Sequence, residues 1–178
     1  MRRKTEEVEI VVKLDEEGEI DTGDKCLDHL LETFFFYMGE DAVVQAKGDL
    51  RHHLWEDVGI VLGKEIKRWK EEKSERVNRF GEAIMPMDEA LVLVSLDITR
   101  NYLSFDVSPA EIEKGFEPTL VKEFINAMVR NLGATLHIKQ LSGENSHHVI
   151  EAVFKALGIA FSEALEGSDE LRSTKGEL

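Results

Sequence analysis

Residues 140–158 read QLSGENSHHVIEAVFKALG, and residues 45–63 read QAKGDLRHHLWEDVGIVLG. Laid over each other at a separation of 95 residues, without a gap, they agree at Gln45/Gln140, Gly48/Gly143, His52/His147, His53/His148, Glu56/Glu151, Val58/Val153, Leu62/Leu157 and Gly63/Gly158. Shared amphipathicity accounts for matched apolar positions in two helices. It does not account for four matched histidines and two matched glutamates. The pattern predicts an internal duplication and an α+β fold of two halves, each with strands beside two helices.

Working outward from this repeat, β-branched alternation predicts strands over 7–14, 41–49, within 76–88, and over 89–98, 102–108 and 134–143. Strands 89–98 and 102–108 read as a pair around a tight turn. Apolar positions at helical spacing predict helices over 26–39, 55–74, 119–133 and 146–166, the first stopping at Gly39. The expected division is 1–88 and 89–178, packed as one compact unit. The polar tail, GSDELRSTKGEL, reads as loop.

Of the 178 residues, 42% are apolar and 33% charged, as in a globular, soluble chain. No apolar run approaches the roughly 20 residues that span a bilayer. The start, MRRKTEEVEIVVKL, turns acidic where a secretory signal turns apolar. A net charge of −14 argues against a nucleic-acid backbone as partner, though a basic pocket for a small phosphorylated ligand remains compatible with it. Cys26, the single cysteine, reads as a small buried residue; no intrachain disulfide is possible, and a reducing cytoplasm is expected.

Four of the six histidines lie in the repeated His-His-x-x-Glu motif. On a helix, residues four apart share a face, so His52 with Glu56, and His147 with Glu151, can each grip one ion. His53 and His148 point about 100° away and suit a second ion. Exchange of these spare histidines gives two ions, each with two histidines and a glutamate. His29 and His137 remain. One for each ion gives three imidazoles and a carboxylate apiece, with open positions for a substrate. Such a donor set suits Mn, Fe, Co or Zn.

The chain resembles the imidazoleglycerol-phosphate dehydratase family of histidine biosynthesis. The resemblance runs nearly end to end, through RKTEE (3–7), TGDKCLDHLL (22–31), GDLRHHLWED (48–57), NRFG (78–81), PMDEAL (86–91), TLHI (135–138), GENSHHVIEAVFKA (143–156) and STKG (173–176). It implies two similar halves, each a four-stranded sheet with helices packed on one face. It implies a large octahedral shell of identical subunits, with active sites between subunits. Two Mn²⁺ ions per site are implied, on His29, His52, His53, Glu56, His137, His147, His148 and Glu151. The implied reaction dehydrates D-erythro-imidazole glycerol phosphate to imidazole acetol phosphate. A substrate imidazole held between two cations takes on imidazolate character, and hydroxide leaves through a diazafulvene-like intermediate. Glu7 matches the family's acid/base. Arg79, Arg100, Ser173, Thr174 and Lys175 match its phosphate-binding residues. STKG is not a P-loop, since no GxxxxGK[ST] precedes a helix.

Several positions depart from the family pattern. The loop before His52 is shorter and carries Arg51 where aspartates are usual. TRNY (99–102) is one residue shorter than the family turn, Tyr37 replaces a common histidine, and Arg172 replaces the proline before STKG. Two other classes accommodate part of the pattern. A metal-stabilised scaffold needs the histidines but not Glu7, Arg79 or Lys175. A dinuclear hydrolase favours aspartates and a bridging carboxylate over six histidines.

Overall fold

The computed structural model describes residues 1–73 and 76–168. The first half contains β1 (Arg2–Lys4), β2 (Val8–Leu14), β3 (Ile20–Asp21), α1 (Lys25–Met38), β4 (Ala42–Gly48) and α2 (Arg51–Glu72). The second contains β5 (Phe80–Met87), β6 (Ala90–Asp97), β7 (Tyr102–Asp106), α3 (Pro118–Leu132), β8 (Thr135–Ser142) and α4 (Ser146–Leu165). The two four-stranded sheets run β1-β2-β4-β3 and β5-β6-β8-β7, the same order twice. In each sheet the last-formed strand pairs antiparallel with one neighbour and parallel with the other. The duplicated α+β fold is therefore present in full.

Two expectations need correction. β6 and β7 do not pair, because β8 lies between them. The hairpin partner of β6 is β5, joined through Asp88 and Glu89, with Asp88 at φ 48°. The connection of β7 to β8 runs through α3, as parallel pairing requires. Because β5 pairs with β6, the second sheet begins at Phe80, on the N-terminal side of the expected 88/89 division. The short strands β1 and β3 had no signal in the alternation, being three and two residues long.

Each sheet buries one face under its helices. Val8, Ile10, Val12 and Leu14 of β2 point inward, as do Ala90, Val92, Val94 and Leu96 of β6. The halves meet helix to helix, α1 on α4 and α2 on α3. Gly158 of α4 makes the first crossing close: a Cβ there would lie 2.5 Å from the Phe34 carbonyl oxygen of α1. Its repeat partner Gly63 lies in the same way against the Met128 carbonyl of α3. The repeated glycine is thus a crossing point, where backbone packs on backbone.

These crossings also set the register of α1 on α3. Phe34 corresponds to Met128, and the left-handed C-caps Gly39 and Gly133 correspond too, a shift of 94. The buried positions Leu27, Leu30, Leu31, Phe34, Phe35 and Met38 then fall on Val121, Phe124, Ile125, Met128, Val129 and Leu132. The counterpart of His29 is therefore Glu123, not Phe124 as the uniform shift of 95 places it.

Candidate metal centre

Helices α1, α2 and α4 carry five of the six histidines near their starts, and side-chain caps fix where α1 and α4 begin. Asp24 accepts from the N–H groups of Cys26 and Leu27 and starts α1. Asn145 accepts from His147 (2.8 Å) and His148 (3.4 Å) and starts α4. Helix α2 begins at Arg51, four residues ahead of the expected start, so His52 and His53 are helical.

Arg51, the first residue of α2, bridges three elements. Its guanidinium pairs with Asp24, with Glu117 at 2.7 Å, and with the Gly115 carbonyl at 2.9 Å. It ties the starts of α1, α2 and α3 together. Trp55 Nε1 also donates to Asp24 (3.1 Å). Burial pushes the Asp24 carboxyl up, but Arg51 and Trp55 outweigh it and hold the group below the ordinary carboxylate range. Cys26, beside this cluster, is half-buried rather than buried, and desolvation lifts its thiol to about 12.

Across the α1–α4 crossing, His29, His147 and Glu151 offer donor atoms that all lie within 4.8 Å of one another. Glu151 Oε2 stands 3.0 Å from His29 Nε2 and 3.2 Å from His147 Nε2. Lys155, one turn further along α4, holds Glu151 Oε1 at 3.0 Å. Phe116 stacks on the His147 ring at 4.0 Å, and Glu113 lies 3.4 Å from its Nδ1. Burial raises the Glu151 carboxyl, yet His29 and Lys155 bring it down to about 2. An ionised oxygen facing two imidazole nitrogens fits a divalent transition metal.

The other expected ligands do not join this group within one chain. His52 and Glu56 are exposed on α2. At the place on α3 that matches His29 stands Glu123, and among the described residues no second histidine-rich triad forms at the α2–α3 crossing. His53 Nδ1 pairs with Asp49 (2.9 Å) and lies 3.9 Å from the carboxylate of Glu7. His148 Nδ1 pairs with Glu89 at 2.7 Å, and its Nε2 lies 3.7 Å from Asp88. These carboxylates raise the titration of both rings. Glu89 itself is drawn down to about 2 by His148 and by the amides at the start of α4. His137 projects from the exposed face of β8, its ring 5.5 Å from that of Tyr102. The exchange of spare histidines between the two motifs is therefore not made inside one chain.

Among the expected phosphate ligands, Arg79 places its fork on Asp97 (2.6 and 3.0 Å), from a backbone at φ 75°. Arg100 is exposed nearby. Ser173, Thr174 and Lys175 lie outside the described residues, as does the expected C-terminal loop. No described helix is long and apolar enough to cross a membrane. Sequence reasoning missed Asp49, Glu89, Glu113, Phe116 and Lys155. Asp49 and Lys155 were visible as residues four from His53 and Glu151. The other three come from separate elements and had no local signal.

The fold and the triad define a class: duplicated α+β proteins with a candidate divalent-metal centre where the two halves cross. The family model described as imidazoleglycerol-phosphate dehydratase matches residues 22–161. The imidazoleglycerol-phosphate dehydratase of Pyrococcus furiosus is 52% identical over 179 residues, covering 100% of both chains. That of Acetivibrio thermocellus is 46% identical, covering 99% of this chain and 96% of its own. A crystal structure of the P. furiosus protein, at 51% identity, superposes with a TM-score of 0.94 and covers 100% of both chains. The Staphylococcus aureus structure gives 0.82 at 35% identity, covering 94% and 98%. The chain belongs to the imidazoleglycerol-phosphate dehydratase family.

Proposed function

We propose that this chain is an imidazoleglycerol-phosphate dehydratase, a manganese-dependent hydro-lyase of cytoplasmic histidine biosynthesis. It removes water from D-erythro-imidazole glycerol phosphate to give imidazole acetol phosphate. The observation that carries the metal part of this reading is the convergence of His29, His147 and Glu151 at the crossing of the two halves.

Two Mn²⁺ ions per active site are held by His29, His52, His53, Glu56, His137, His147, His148 and Glu151. When bound, they would supply Lewis acidity to the substrate's imidazole ring, which would ease departure of the hydroxyl group. The chain's residues do the rest. Glu7, exposed beside His53, moves the proton. Arg79 and Arg100, with Ser173, Thr174 and Lys175, hold the phosphate. Arginine's planar fork suits phosphate oxygens, and Arg79 already presents it to the carboxylate of Asp97.

Five of the eight ligands stand apart from the triad in one chain, which favours completion of each site by other subunits of a large homo-oligomeric shell. The outer face of the second sheet supports this. It presents Phe80, Ile84 and Tyr102 to solvent around His137, over half-buried Leu91 and Leu93. Exposed apolar side chains gathered on one face, here beside the charged Glu82 and Lys139, suit an interaction surface.

An assay with imidazole glycerol phosphate and Mn²⁺ tests the reading. Wild type forms product, and Glu7→Gln and His148→Ala do not. An inert wild type, with Mn²⁺ present and the oligomer intact, overturns it.

A further inference from the structure

The duplication extends to the acidic residues ahead of β2 and β6. The inward residues Val8, Ile10, Val12 and Leu14 correspond to Ala90, Val92, Val94 and Leu96. Val8 pairs with Gly48, and Ala90 lies against its repeat partner Gly143. In this register Glu7 is the structural twin of Glu89. Each precedes its strand, and each approaches Nδ1 of the spare histidine in its own half.

The twins are held differently. Glu89 is committed at both oxygens: Oε2 to His148 Nδ1 at 2.7 Å, Oε1 to the N–H groups of Glu144 (3.2 Å) and Asn145 (3.1 Å). Glu7 stays 3.9 Å from His53 Nδ1, because Asp49 occupies that nitrogen at 2.9 Å. Asp49 is fixed in turn by the Leu50 N–H at 2.6 Å. A carboxylate on Nδ1 holds the proton there, orients the ring and leaves Nε2 as the donor to a metal.

We propose that Glu89 and Asp49 are the positioning residues of His148 and His53, and that Asp49, by taking this role in the first half, leaves the Glu7 carboxylate available for proton transfer. This rests on the reading of the two spare histidines as metal ligands. The duplicated carboxylate thus has one copy spent on orientation and one kept for chemistry.

The test titrates the Mn²⁺-stripped full-length assembly with Mn²⁺, following the free ion by electron paramagnetic resonance. His53→Ala and His148→Ala each lose an ion. Glu89→Ala and Asp49→Ala raise the Kd of the corresponding ion by about 10- to 100-fold. Glu89→Gln, whose single amide oxygen can accept from the ring or from the start of α4 but not from both, falls between wild type and Glu89→Ala. At saturating Mn²⁺ the kcat of Glu89→Ala recovers. That of Asp49→Ala does not, because Glu7 now closes on His53. If both histidine variants keep both ions, the ligand reading fails and takes this inference with it. If they lose them while Glu89→Ala and Asp49→Ala bind as wild type, only the positioning role fails. Recovery of Asp49→Ala at high Mn²⁺ overturns the part that concerns Glu7.

Discussion

Gly158 on α4 sits against the carbonyl of Phe34 on α1, with no room for a side chain between them. His29 lies about one turn before Phe34 on its helix, and Glu151 about two turns before Gly158 on the other. The contact that joins the two halves therefore also sets the spacing of the triad. Gly158→Ala should force the helices apart, costing about 1–3 kcal/mol, with a fall in Tm of about 2–4 °C for each kcal/mol. Gly63→Ala should destabilise by a similar amount at the other crossing, where no triad stands. Thermal denaturation checks the first effect. Mn²⁺ affinity of the folded variants checks the second, and only Gly158→Ala should weaken binding at the triad.

Among the described residues, Glu151 is the one carboxylate that faces both His29 and His147. Replacing it with glutamine keeps the size and removes the charge. Glu151→Gln should lose one ion per chain, measured by atomic emission after dialysis against Mn²⁺. His52 and Glu56 are on a different helix crossing, so the second ion should remain. Loss of neither ion would mean that the triad is not a metal centre.

How much of this was legible in the sequence depends on how constant the spacing between copies is. The α2 and α4 copies keep one shift of 95 through His52, Glu56 and Gly63, so the repeat and the chelating pairs could be read directly. The shift is 94 between α1 and α3, and 82 between β2 and β6, because the intervening loops differ in length. That hid the match of His29 to Glu123 and of Glu7 to Glu89. The pairing of β6 was misread because its neighbour β8 arrives only after α3, and a short link such as TRNY looks the same whether or not the strands it joins are adjacent. Contacts such as Glu89 with His148, 59 residues apart, have no local pattern at all.

Arg51 links Asp24, Glu117 and Gly115 from three elements. Its removal leaves the largely buried Asp24 without its cation, and Arg51→Ala should cost about 1–3 kcal/mol near neutral pH. Lysine cannot reach all three partners and should not restore it. The sign with pH follows from Asp24, whose folded-state titration is depressed. Its contribution is complete above the unfolded value of about 3.9 and is lost as pH falls toward the lower folded value. The stability gap between wild type and Arg51→Ala, followed by urea unfolding, should therefore be full at pH 6 and shrink below about pH 4.

Ile84 lies 61% exposed on the outer face of the second sheet, on the same side as Tyr102 and His137. The matching face of the first sheet carries Glu9, Lys13, Gln45 and Lys47 instead. The second sheet also carries Glu82 and Lys139 on this face, and the first Val11 and Val43, but the large exposed apolar side chains and the histidine lie on the second. If that face meets another subunit, a charge placed on it must be desolvated on assembly. Ile84→Arg should then reduce the mass seen by light scattering while leaving the far-ultraviolet circular dichroism of the subunit unchanged. Because His137 would lose its neighbour, the variant should also bind less Mn²⁺ than wild type at equal chain concentration. An unchanged mass would place the subunit contacts elsewhere, and an unchanged mass with reduced Mn²⁺ would tie Ile84 to the site alone.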